Sequence, residues 1–298
     1  LGKISPLTEE RKKMKLKQLP LALALGGALM VSTATFADTA KIEFPAASPL
    51  CTMKQRVGLT DVEISYSRPG VKGRKIFGDM IPYGKVWRTG ANAATKLVFS
   101  TDVKLNGHDV PAGTYALMTI PGKDEWTVII NKGSEQWGSY KYDEKNDVVR
   151  FQVKPVELAH SLETLTFDIE NIKDESADLD LVWATTKVPI KLEVNFVDKL
   201  TKQIEAEMSS DKKEKPYFQA ANFWFNHDKD LQQAKKWVDA AVAEKDAFYI
   251  VHLQAKILAK LGDKAGALAA AKHSTELAQK ANDTAYVKLN EILINSLQ

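Results

Sequence analysis

The chain has 298 residues, 44% apolar and 27% charged, which is the make-up of an ordinary globular protein of about two domains and excludes a disordered or membrane-embedded chain. Its formal charge is +3, but residues 1–37 hold six Lys/Arg against two Asp/Glu, a net of +4, so residues 38–298 carry about −1 and a general nucleic-acid-binding surface loses its support. Cys51 is the single cysteine, which excludes a disulfide framework and a cysteine-based zinc site within one chain; it is expected as a buried, inert thiol.

From Met14, MKLKQLPLALALGGALMVSTATFA has a basic start, an apolar run from Leu19 to Val31 and small residues ending before Asp38. That is the layout of a secretory signal, with cleavage expected after Ala37. The run falls short of the ~20 residues a membrane span needs, so no stable membrane insertion is expected after cleavage. Residues 1–37 are thus read as upstream residues plus a cleaved signal peptide, and the mature chain as periplasmic or secreted. Bulky Leu50 before Cys51 argues against a lipid-modified cysteine.

From Arg56 to Phe196 apolar residues recur at every second position. VGLTDVEISY is read as one alternating strand, and TDVKLNGHDV places Asn106-Gly107 between two short runs, a strong hairpin signal. GTYALMTI, EWTVIIN, DVVRFQVKP, ETLTFDIE, DLDLVWAT and VPIKLEVNF follow. About nine short strands without helical pattern between them predict an antiparallel all-β sandwich over residues 41–198.

Within this half, YSRPGVKGRKIFGDMIPYGKVWRTGANAAT, residues 66–95, holds six basic side chains against one acid, Asp79. Arg68, Arg74 and Arg88 carry planar donors suited to carboxylate, sulfate or phosphate, Lys85 adds charge, and Asn92 adds a neutral hydrogen-bonding group. One reading is an anion or glycan pocket in which Trp87 takes part. The other is a structural loop whose arginines bond carbonyls while Trp87 plugs the core. A second candidate is SEQWGSYKYDEKND, residues 134–147, where Trp137, Tyr140 and Tyr142 could stack on sugar rings, or Trp137 or Tyr142 could instead cap the sandwich end; Asp143, Asn146 and Asp147 there lack the pattern of a calcium loop. No histidine pair has metal-ligand spacing, so no metal site is expected. No nucleophile elbow, P-loop or dinucleotide fingerprint appears, so no cofactor is expected.

After Asp198 the period becomes 3.6. Leu200, Ile204 and Met208 form one stripe, and SSDKKEKP reads as a polar linker, giving a helix and linker over 199–215. Residues 216–298 are read as an all-α helical domain. DLQQAKKWVDAAVA aligns with DKAGALAAAKHSTE at an offset of 33, Asp230 on Asp263, Ala234 on Ala267 and Ala241 on Ser274. This is close to the ~34-residue repeat of tetratricopeptide arrays, which Leu261-Gly262 also resembles, although Lys229 stands where the first turn glycine is expected. Phe218, Phe223, Trp224 and Phe225 place aromatics on several faces of one helix, either sandwiched between neighbours or exposed as a docking patch.

Residues 48–196 also resemble domain-of-unknown-function family 2911, uncharacterised secreted bacterial proteins. The resemblance rests on the 66–95 motif, AGTYALMTIP, WTVIIN and LVWATTKVPI, and implies secretion and a domain boundary without supplying an activity. The leading expectation is a non-catalytic module that binds an anionic or carbohydrate envelope ligand and meets a protein partner through residues 216–298. The alternatives are a glycan-acting hydrolase drawing on residues such as Asp79 and His108, and an envelope assembly scaffold. The sequence leaves open whether the protein is an enzyme.

Overall fold

The computed structural model describes residues 43–298, so the expected signal peptide and its cleavage point lie outside the described residues. Ten strands and then six helices follow one another there, within one compact unit from Pro45 to Gln298. The strands are β1 (Leu50–Val57), β2 (Thr60–Ser67), β3 (Ala91–Phe99), β4 (Val103–Leu105), β5 (His108–Val110), β6 (Gly113–Ile120), β7 (Trp126–Asn131), β8 (Asp147–Val153), β9 (Val156–Glu170) and β10 (Ser176–Val194). They form an antiparallel six-stranded sheet, order β1-β2-β3-β6-β7-β8, and a four-stranded sheet, order β5-β4-β10-β9. This is the expected sandwich.

Alternation explains the core. Val62, Ile64 and Tyr66 of β2, Leu97 and Phe99 of β3 and Val128 and Ile130 of β7 meet Leu165 and Phe167 of β9 and Leu179, Leu181 and Trp183 of β10. At about 25 cal/mol per Å² of apolar surface removed from water, this burial is the main force holding the sheets together. Asn106 and Gly107 both adopt positive φ, 47° and 82°, as the expected two-residue hairpin requires.

Several strand expectations need correction. VGLTDVEISY is not one strand: Gly58, at φ 55°, turns the chain between β1 and β2. β3 and most of β1 lie outside the predicted strands. DLDLVWAT and VPIKLEVNF are one 19-residue strand, β10, whose register to β9 shifts on either side of Ala184, a residue at φ 51°. An irregularity of that kind bends a strand without ending it. Cys51, expected buried, is half-buried at the core edge.

The helices are α1 (Val197–Ser209), α2 (Tyr217–Asn226), α3 (Leu231–Glu244), α4 (Phe248–Lys260), α5 (Lys264–Lys280) and α6 (Thr284–Ser296). From α2 onward each packs on the next in sequence. Among the described residues, none is long and apolar enough to cross a membrane.

The aligned aspartates do the same work. Asp230 caps α3 by accepting from the Gln232 and Gln233 amides, and Asp263 caps α5 by accepting from Gly266. Ala234 and Ala267 are both fully buried, so the small residue recurs where helices approach. The missing turn glycine has a simple cause. In the first unit the left-handed residue is Asp228 (φ 50°), not Lys229, and the Lys229 amide reaches Trp224 O as the Asp263 amide reaches Leu258 O past Gly262. Both turns are Schellman-type caps, and the first leaves one more residue before the next helix cap.

The aromatic faces of α2 are occupied. Trp224 is buried against Trp237 at 4.8 Å, Phe218 meets Tyr249 at 5.2 Å, and Phe223 faces Phe196 of the sandwich at 6.5 Å. Helix α2 is therefore sandwiched between neighbours.

Candidate functional site

Residues 68–90 leave β2 and return to β3 by way of the opposite sheet. Gly70 bridges Thr164, the Val71 amide donates to Glu163 O (2.7 Å) and the Leu165 amide to Pro69 O (3.0 Å). Arg68 reinforces the strap, its Nε donating to Leu165 O at 2.9 Å and its Nη2 to Thr166 Oγ1 at 2.7 Å. The segment then sends Ile76, Phe77 and Trp87 into the sandwich end. Trp87 stacks on Trp183 at 6.0 Å, Phe77 meets Trp126 edge-on at 4.8 Å, and Trp87 Nε1 donates to Gly90 O. Trp87 is buried in this aromatic plug, which removes it from the candidate ligand contacts.

Trp87 also pairs with Thr119, taking up the bonding of β6 past the end of β3. The return to β3 is strained. Thr89, a fully buried β-branched residue, sits at φ 54° and is held by Thr119 Oγ1 (3.1 Å) and Thr95 Oγ1 (2.8 Å). Such a conformation persists only where its surroundings enforce it. The consequence is a fixed Arg88.

Arg88 lines a cavity of about 450 Å³ whose wall also includes Lys72, Arg74, Asn92, Met80 and Trp183. Three of the lining residues are cations and none is an acid. Among the described residues, none of the three has a carboxylate within ion-pair distance, whereas many other surface lysines are paired. Arg88 Nε is buried without a hydrogen-bond partner, and burial lowers the guanidinium pKa from its ordinary value, with Tyr140 opposing. An unpaired buried donor of this kind costs about 1–3 kcal/mol.

Arg74 serves both expected roles. Its Nε and Nη2 donate to Val71 O (3.0 Å) and Gly70 O (2.6 Å), tightening an exposed turn, and it still lines the cavity. Asn92, at φ 59°, gives its amide nitrogen to Ser48 O and Ser67 Oγ, both at 3.1 Å. The Ser48 carbonyl thereby fixes the amide orientation and leaves Oδ1 as an acceptor. Arg68 is spent on the strap and Lys85 is exposed outside the cavity lining. Lys72, Ser48 and Trp183 are contributors that the sequence reading missed; Lys72 stands inside the basic motif, but nothing local marks the other two.

The second candidate loop adjoins the first. Gly138 N donates to Asn92 O (3.0 Å), Ala94 N to Gln136 O (3.0 Å), Ser139 Oγ to Val86 O (3.3 Å), and Trp137 bridges Ala93. Trp137 and Tyr140 are 67% and 86% exposed, which places two bare rings beside Arg88 and Asn92. The Tyr140 ring lies over Gly138, whose φ of 68° is strained for a residue with a side chain.

The loop root is rigid. Tyr142 OH donates to Asp147 Oδ2 (2.7 Å), Asn131 Nδ2 to Asp147 Oδ1 (2.7 Å), and Arg150 contacts both Asp147 and Tyr142. Burial, then the bond to Asp147, pushes the Tyr142 pKa up to about 12. Asp147 is thus filled by protein donors, and Asp143 caps the short helical turn Glu144–Asn146.

Arg74 also borders a larger concavity of about 730 Å³, but Lys75 and Lys123 share its wall with Asp124 and Glu157, so it has no single sign. Among the described residues, Asp79 and His108 share no hydrogen bond, ion pair or cavity; Asp79 is exposed and His108 stacks on Phe151 at 5.5 Å.

Neither a curated protein nor a solved structure matches the chain. Residues 48–192, which carry the strap, the cavity and the aromatic loop but none of the helices, match the family described as a protein of unknown function, DUF2911.

Proposed function

We propose that this is an exported, periplasmic, non-catalytic binding protein whose sandwich takes an anionic ligand in the Arg88 cavity. The observation that carries the reading is the lining itself: Lys72, Arg74 and Arg88 face one concavity that no acid lines. Unpaired cations around a half-enclosed space are suited to charge-assisted bonds with an oxyanion. The helical half is the protein-association part of the same reading, supported by the recurring Asp caps and buried small residues that resemble tetratricopeptide repeats.

The test is calorimetric titration of the full chain with glucuronate, sulfate and phosphate. At least one should bind, and Arg88→Gln should weaken it by about 1.5–3 kcal/mol, the scale of a charged hydrogen bond, while the melting temperature does not fall below that of the parent. Absence of binding by all three would remove the proposal.

A further inference from the structure

The cavity and the aromatic loop share a border. Asn92 lines the cavity and its carbonyl accepts from Gly138; Val86, two residues before Arg88, accepts from Ser139. The loop that carries the two rings is therefore bonded to the border of the cation site, although it lies about 50 positions further along the chain.

Three features of the cavity describe more than an inorganic anion. A space of about 450 Å³ falls within the ordinary range for small organic ligands, roughly 300–1,000 Å³, and exceeds what a lone oxyanion fills. Asn92 Oδ1 is an acceptor among the donors, and an acceptor is matched by a ligand hydroxyl, not by the fully ionised oxygens of sulfate. Met80, Ile81 and Trp183 make part of the wall apolar, as the C–H face of a sugar ring would need. The planar fork of Arg88 suits a carboxylate.

We infer, resting on the proposed anion site, that the ligand is an acidic oligosaccharide: one uronate residue enters the Arg88 cavity and the adjoining sugar rings lie on Tyr140 and Trp137. Arg88 and Lys72 hold the carboxylate, Asn92 Oδ1 accepts a ring hydroxyl, and the aromatic faces cover the apolar sides of the next sugars. Glu163, whose Oε1 lies close to Gly70 on the rim, is occupied by the Lys72 amide at 2.9 Å.

The test compares galacturonate, its linear tetrasaccharide, neutral maltotetraose and a glutamate decapeptide by calorimetry on the full chain. The acidic tetrasaccharide should bind roughly tenfold tighter than the monosaccharide, a gain of about 1.4 kcal/mol. In a combined Trp137→Ala, Tyr140→Ala variant the tetrasaccharide should bind no better than the parent binds the monosaccharide. Both rings are exposed, so folding should survive, and an unchanged melt verifies it. Persistence of the tenfold gain in that variant would overturn the inference and leave the anion site standing. Equal binding of maltotetraose would overturn it too, and so would equal binding of the glutamate peptide, which would make the ligand an acidic polypeptide. Failure of galacturonate, with phosphate or sulfate still binding, would reject the sugar alone.

Discussion

Trp87 reaches its partners across the chain: Thr119 pairs with its backbone, and Trp126 and Trp183 pack on its ring. Asp263 works at close range, capping α5 through an amide three residues away. The strap repeats this contrast, since Arg68 binds a carbonyl 97 positions later, while the array is built from caps and turns renewed in each unit. A region tied by distant contacts can hold a shaped concavity at its end, because elements from several parts of the chain must meet there. A region tied by neighbouring contacts builds an extended stack instead.

The largest test of the contrast is Trp87→Ala. Emptying the aromatic plug should cost about 3–5 kcal/mol of sandwich stability in denaturant unfolding. The array should keep its 222 nm ellipticity through that transition. Simultaneous loss of helical signal would show that the Phe196–Phe223 contact joins the halves into one cooperative unit, and the contrast would fail.

A smaller effect is expected from Asp263→Ala, which leaves the first turn of α5 without its cap. About 1 kcal/mol should be lost, from the helical transition alone. Asp230→Ala should cost a similar amount through α3, and unequal losses would show that the two units are not equivalent.

The smallest effect is a pH dependence confined to the array. His252 Nδ1 meets Asn290 Oδ1 at 2.7 Å, and Asn290 Nδ2 donates to Ser274 Oγ at 2.8 Å, so the imidazole must donate through Nδ1. Burial, with help from Lys256, lowers the His252 pKa below its ordinary 6.5, against the Asn290 bond. The folded array then binds fewer protons than the unfolded chain just below pH 6.5, so its stability should be level above that value and fall beneath it. Melting followed at 222 nm in a pH series, with His252→Gln as control, measures this. A slope unchanged in the variant would assign the effect to other groups.

Much of the local structure was legible. Asn106-Gly107 specified a hairpin because both residues tolerate positive φ, and the 33-residue offset of Asp230 and Asp263 marked equivalent caps. β3 was hidden because Ala94 and Thr95 break the visible alternation. Ala94, Ala116, Met118 and Ile129 are buried on the outer face of the larger sheet beneath Val86 and Tyr142, a cover no local pattern announces. The expectation that residues 66–95 were either pocket or lock failed to divide the segment correctly. Trp87 and Arg68 lock, Arg88 and Lys72 line the cavity, and Arg74 does both.

The sequence by itself determined what acts over a few residues: alternation of strands, helix caps, turn residues and the concentration of positive charge in one segment. Only the tertiary structure decided that Ser48, Lys72, Arg88, Asn92 and Trp183 surround one cavity, and that Trp137 and Tyr140 stand beside it. The reason is physical. Periodicity and capping are set by bonds between near neighbours in the chain, whereas a concavity is the space left when strands, strap and loop from distant positions have packed around a shared aromatic core.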